Sequence, residues 1–152
     1  MRRSVLFAIA GALFIISGIL YTYIDLTTDL AETVRTAQVK AGKTLYLVPP
    51  AVEVNVEVTI TNPTNTRVII ESLVADVFYE DVQLGALGGQ GVSIQPHGNA
   101  SFRGSFNLPS NLWFRTPYTI RVTGKITASV GILSLKITRE YPLDIQRAQT
   151  SP

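Results

Sequence analysis

VEVNVEVTIT, residues 52–61, places an aliphatic β-branched side chain at every second position and a polar one between them. Successive side chains of a strand point to opposite faces. Val52, Val54, Val56, Val58 and Ile60 therefore line one apolar face, with Glu53, Asn55, Glu57, Thr59 and Thr61 on a wet one. Working outward, the same period recurs from Tyr118 to Val130. There Tyr118, Ile120, Val122, Ile126, Ala128 and Val130 share one side. Phe102, Gly104, Phe106 and Leu108 alternate with Ser101, Arg103, Ser105 and Asn107, and Leu133, Leu135 and Ile137 alternate with Ser134, Lys136 and Thr138. Shorter strands are expected at Thr44–Val48, Val68–Ile70, Leu73–Tyr79, Val82–Leu87 and Val92–Gln95. Turn chemistry separates them at Asn62-Pro63-Thr64-Asn65, Glu80-Asp81, Gly88-Gly89-Gln90-Gly91, Pro96-His97-Gly98-Asn99 and Val130-Gly131. One-sided alternation implies antiparallel sheets each covered on one face. Seven or eight such strands close as an all-β, two-sheet sandwich of the fibronectin or immunoglobulin kind. No helical period of useful length follows residue 45, which excludes βαβ architectures and the nucleotide sites built on them.

The N-terminus obeys a different rule. Ser4 to Ile24 carries no charge, and at 1.5 Å per residue it makes about 31 Å of helix, the thickness of a bilayer core. Tyr21 and Tyr23 stand at its far end, where aromatic rings favour the interface. Arg2 and Arg3 precede the span, while Asp25, Asp29 and Glu32 follow it. The positive-inside bias thus puts the N-terminus in the cytoplasm and the rest outside. A cleaved signal peptide with Ile16-Ser17-Gly18 as its processing site is the alternative, opposed by the length of the apolar run and the lack of Ala-x-Ala. Ser4, Ala8, Gly11, Ile15 and Gly18 form a mostly small-residue stripe on which a second helix can pack closely. Asp29-Leu30-Ala31-Glu32 has capping-box spacing, so a helical stalk is expected to run to about Val39, ended by Ala41-Gly42-Lys43. The expected organisation is a cytoplasmic tail over 1–3, a transmembrane helix over 4–24, a helical or linker stalk over 25–43, a sandwich over 44–146 and a disordered tail over 147–152.

Chemistry is scarce. The net charge is +2 with no basic run, which argues against nucleic acid, and the absence of cysteine removes disulfides and thiolate metal sites. His97 is the one histidine and sits in a turn, so no catalytic triad has its base, and no catalytic residue is assigned. Gly85, Gly88, Gly89 and Gly91 lack the helix that a phosphate-binding loop requires and read as a flexible loop tip. Glu53, Glu57, Glu80 and Asp81 do not have the spacing of a calcium loop, so no metal and no cofactor is expected. Asn99-Ala100-Ser101 is a glycosylation sequon, whereas Asn62-Pro63-Thr64 is blocked by its proline. Arg121, Lys125 and Lys136 occupy polar positions of neighbouring strands, a possible cationic face for anionic lipid or glycan.

From Val52 to Leu108 the sequence resembles the late-embryogenesis-abundant type 2 domain, also called the water-stress and hypersensitive-response domain. The shared pattern is an alternating strand ending in Asn62-Pro63, a strand with Ile70, Leu73 and the pair Phe78-Tyr79, then Leu84-Gly85 and Gln95-Pro96-x-Gly98. Tyr118-x-Ile120-x-Val122-x-Gly124-x-Ile126 fits the family's penultimate strand, and the resemblance spans about residues 44–145. Thr64 and Asp81 depart from it, at turns where the family often has Asn and Gly. The resemblance implies a seven-stranded, fibronectin-like sandwich without catalytic residues, associated with desiccation and stress protection and in some members anchored by one span. Asn62 and Pro63 are expected to act structurally at the mouth of a turn. Three functions remain open: an anchored binding or stress-protection module, an accessory subunit of a larger membrane or surface assembly using the helix or sandwich, and lipid or apolar-ligand binding between the sheets.

Overall fold

In the computed structural model the described residues are 2–130 and 135–147, with side chains described at residue 7 and over 9–130. Helix α1 (Arg2–Arg35) leads into β1 (Gln38–Leu47), β2 (Pro50–Thr61), β3 (Val68–Tyr79), β4 (Val82–Ile94) and β5 (Asn99–Asn107). A single 3-10 turn (Ser110–Leu112) precedes β6 (Thr119–Val130) and β7 (Leu135–Arg147). The strands form a three-stranded sheet ordered β1-β2-β5 and a four-stranded sheet ordered β4-β3-β6-β7. Every pairing is antiparallel. The two sheets face each other as the expected sandwich.

Period two sets the core. Val54, Val58 and Ile60 of β2 face Val68, Ile70, Val77, Val122 and Ile126 of the other sheet, all with no measurable exposure. A bulge explains why β3 reads as two short runs. Its register against β6 shifts between Ile70 and Ser72, so Glu71 is the extra residue. Buried positions are even-numbered before it (Val68, Ile70) and odd-numbered after it (Leu73, Ala75, Val77, Tyr79). Glu71 is held there by the hydroxyl of Ser129.

Three expectations are corrected. The stalk over 25–43 does not end in a linker: α1 stops at Arg35, and Gln38 to Lys43 belong to β1, in register with Thr59 to Val54. Unpaired backbone along β2 is satisfied by continuing the sheet, which overrides the weak turn signal of Ala41-Gly42. The glycine group at 85–91 is strand, with Gly85 to Gln90 paired to β3 from Val77 back to Ser72. At Gly85 and Gly89 the residue must be small because aromatic rings from β5 lie on them. A Cβ on Gly85 would meet Phe106 at 2.9 Å, and the ring of Phe102 occupies the volume a Cβ on Gly89 would take. Last, strand pairing runs through Arg147, one residue past the expected end of the sandwich, while 131–134 and 148–152, with Leu133 and Ser134 among them, lie outside the described residues.

Helix α1 is long and apolar enough to cross a membrane. From Ile9 its mean hydropathy over the most apolar window is 1.8, and none of that window is buried in the protein. Ser17 and Thr22 in the apolar run, and Thr27 and Thr28 just beyond it, each donate a hydroxyl to the carbonyl four residues earlier.

Candidate functional site

Two places stand out, one at each end of the sandwich. At the first, α1 changes character. Leu30, Thr33 and Val34 have no exposure and Leu26 packs beside them, although Ile9 to Ile24 are bare. The spacing 26, 30, 33, 34 is one helical face, so the helix end is a wedge closing the sandwich core. Asn62, itself with no exposure, ties this wedge to the loops. Its amide nitrogen donates to the carbonyls of Thr66 (2.7 Å), Gln95 (3.3 Å) and Ile94 (3.4 Å). Its amide oxygen accepts from the Thr64 backbone N–H (3.1 Å), the Thr64 hydroxyl (2.8 Å) and the Thr33 hydroxyl of the helix (3.2 Å). The Asn62 backbone N–H donates to the carbonyl of Gly98 at 2.9 Å. Around the hub, Thr66 donates to Asp29 at 2.6 Å, and the Thr36 hydroxyl both donates to Thr61 O (2.6 Å) and accepts from Thr61 N (2.9 Å). Asn62, Pro63, Pro96 and Gly98, picked out separately in the sequence, thus meet at the helix end. A Cβ on Gly98 would be tight, 3.1 Å from the Gln95 carbonyl, and His97 takes a positive φ of 58°. His97 shares a hydrogen bond with Asn65 at 2.9 Å.

The opposite end is formed by the β1–β2 hairpin and the loop from Leu108 to Tyr118. Leu108 N–H donates to Val52 O (2.8 Å), and the indole of Trp113 donates to Leu108 O (2.6 Å). Lys43 locks the loop from the β1 side. Its ammonium donates to Trp113 O at 2.9 Å and lies 4.4 Å from the centroid of the Tyr118 ring, which stacks on Tyr79 at 5.3 Å. Burial holds the Lys43 pKa below the usual lysine value and pushes that of Tyr79 up. Beyond this clamp the surface is apolar: Val48 is 92% exposed, Phe114 81% and Leu47 76%, with Leu45 and Tyr46 also open. The clamp and the tip are absent from the sequence reading. The available signal was Lys43 in phase with Val39 and Ala41 on the inward side of β1, where a lysine needs a partner.

The other nominated residues are dispersed. Phe78 lies under Arg121, whose guanidinium carbon is 4.7 Å from the ring centroid. Lys125 stands in register with Glu140, and Lys136 with Ser129, its side chain outside those described. The face is therefore not purely cationic. Glu57 is bridged to Arg103 at 2.8 Å, which lowers its pKa. Gly124 sits opposite Ala75, and Asn99 is exposed at the first position of β5, opposite Thr61. Gly11 and Gly18 have open space beside them, while the side chains of Ser4 and Ala8 are not among those described. Among the described residues no three His, Asp or Glu side chains converge as metal ligands would.

Fold and site define a class: a β-sandwich carrying an N-terminal apolar helix able to span a membrane. No family profile and no curated protein matches the chain. Among solved structures, a Northeast Structural Genomics Consortium target overlaps 73% of this chain and 82% of its own, at a TM-score of 0.48 and 15% identity. A protein from Archaeoglobus fulgidus (TM-score 0.38, 16% identity, 75% of this chain and 98% of that one) follows. So does a FixG-related protein from Vibrio parahaemolyticus (TM-score 0.34, 13% identity, 71% and 94%).

Proposed function

We propose that the protein is a non-catalytic, single-pass membrane-anchored binding module of the late-embryogenesis-abundant type 2 kind, with its sandwich outside the cytoplasm. The observation that carries this reading is the joint. One helix is bare over its apolar part and fully buried at Leu30, Thr33 and Val34, where Asn62 ties it to the sandwich. An anchor built into the core of its domain holds that domain at a set orientation to the bilayer, which suits a module that presents a surface. Stress protection is the role that fits the family resemblance. Arg2 and Arg3 before the span and Asp25 after it support the outward orientation. A second reading, an accessory subunit, draws on the open flanks of Gly11 and Gly18, where another helix can approach.

Alkaline carbonate extraction with protease shaving tests the proposal. The chain should stay with the membrane, and protease added outside should degrade a C-terminal tag and spare an N-terminal one. Release into the carbonate supernatant, or a protected C-terminus, would defeat it. Flank reversal should use Arg2, Arg3 and Asp25 and leave Asp29 alone, because Asp29 is bonded to Thr66 in the joint.

A further inference from the structure

The distal tip has a composition that its own fold does not explain. Residues 44–52 and 107–118 hold no acidic side chain, and Arg115 is their one formal charge. Leu45 and Leu47 are on the same side of β1 as Val39, in register with Val52 and Pro50, yet both are exposed. The hairpin therefore overhangs the opposing sheet. Tyr46 points the other way and is also exposed, and Val48 with Pro49 makes the turn. A ribbon apolar on both faces matches a medium that surrounds it, whereas a protein partner docked on a flat patch would cover only one.

We propose that the tip formed by Leu45–Pro50 and Phe114 inserts into the interfacial zone of a second lipid bilayer, facing the one that holds α1. This rests on the anchored reading above. The direction follows from the strands: β2 runs its 12 residues from Pro50 at the tip to Thr61 at the joint, a separation of about 36 Å. The chemistry is that of interfacial anchoring. Leucine, valine and phenylalanine enter the acyl boundary, Tyr46 and Trp113 sit at headgroup level, and Lys43 and Arg115 lie behind them where phosphates are found. The Lys43 clamp on Trp113 holds the two loops together beforehand, so insertion orders little that is not already ordered. Among the described side chains the acids at this end are Glu53 of β2, in register with Thr44, and Glu80 and Asp81 on the β3–β4 turn of the other sheet, where Glu80 is engaged with Thr119 N–H at 2.8 Å.

Trp113 is the single tryptophan of the chain, so it reports directly. The full-length protein, reconstituted in nanodiscs of ordinary lipid, is mixed with protein-free vesicles of phosphatidylcholine and phosphatidylglycerol with brominated acyl chains. The expected result is a blue shift and quenching of Trp113, with nanodiscs floating with the vesicles. Leu47→Ser with Val48→Ser, and separately Phe114→Ser, should each weaken this partitioning by about tenfold or more without altering the β-type circular dichroism. Unchanged Trp113 emission and no flotation at lipid excess would overturn the proposal, as would capture only by vesicles that carry other membrane proteins. Failure of the chain to enter nanodiscs would instead refute the anchored reading.

Discussion

Replacing Asn62 with alanine should cost about 3–6 kcal/mol, a large share of the 5–15 that a domain of this size possesses. The magnitude follows from the bonds at the joint. Several partners keep a second bond: Thr66 O still accepts from the Thr64 hydroxyl, Gln95 O from Gly98 N–H, and the Thr33 hydroxyl still donates to Asp29 O. The Thr64 N–H, bonded to the amide oxygen of Asn62 at 3.1 Å, is left buried with nothing to donate to. Stranding one such donor costs about 1–3 kcal/mol, and losing two or three net bonds adds about 1 each. Asn62→Asp is the sharper variant. It keeps the accepting oxygen but turns a second oxygen toward the carbonyls of Thr66, Ile94 and Gln95, where the amide nitrogen now donates. Its native pKa is therefore raised above the unfolded value of about 3.9. Stability is then retained below that unfolded value and lost as pH rises through the native one. Denaturant unfolding of the full chain in detergent, followed by Trp113 fluorescence, reads both variants. A loss below about 1 kcal/mol for alanine, or an aspartate variant matching the parent at pH 7, would refute the hub.

Other perturbations follow from the same structure. Gly89→Ala should destabilise by about 1–3 kcal/mol because the Phe102 ring fills the space, whereas Gly88→Ala, nearest to Leu73 O at 3.7 Å, should be nearly silent; equal effects in thermal melts would dismiss the ring-on-glycine contact. Val56→Asp and Ile120→Asp, each 2% exposed, should cost several kcal/mol and abolish cooperative unfolding, and a folded double set would show those faces are not core. Ultraviolet titration should find a tyrosine ionisation raised above the ordinary value and lost in Tyr79→Phe. Because its native pKa is raised by burial, the stability it contributes is present below about pH 10 and falls as pH rises through the native value.

The sandwich was legible because β2 and β6 alternate without interruption. The errors arise where tertiary contact replaces local pattern. The bulge at Glu71 flips the phase of β3, so one strand reads as two. The glycines of β4 imitate a loop because their partners, Phe102 and Phe106, are distant in sequence and belong to the other sheet. Gln38 to Lys43 became strand because β2 was there to pair with. Asn62-Pro63 was recognisable as a structural turn, but its bond to Thr33 spans 29 positions and has no local signature. The distal tip was hidden for a simpler reason. Leu45 and Leu47 continue an apolar period, and only the length of the opposing sheet decides that they stay uncovered.

The anchored, outward-facing arrangement is most directly tested by single-cysteine labelling, which the absence of native cysteine makes clean. Asp81→Cys, exposed at the β3–β4 turn, and Ser17→Cys, midway along the bare helix, are treated in intact cells with a membrane-impermeant maleimide. The account predicts prompt labelling of the cysteine at 81, and none at 17 until detergent is added. Labelling at 17 as fast as at 81, or protection of 81 until the cells are lysed, would contradict it.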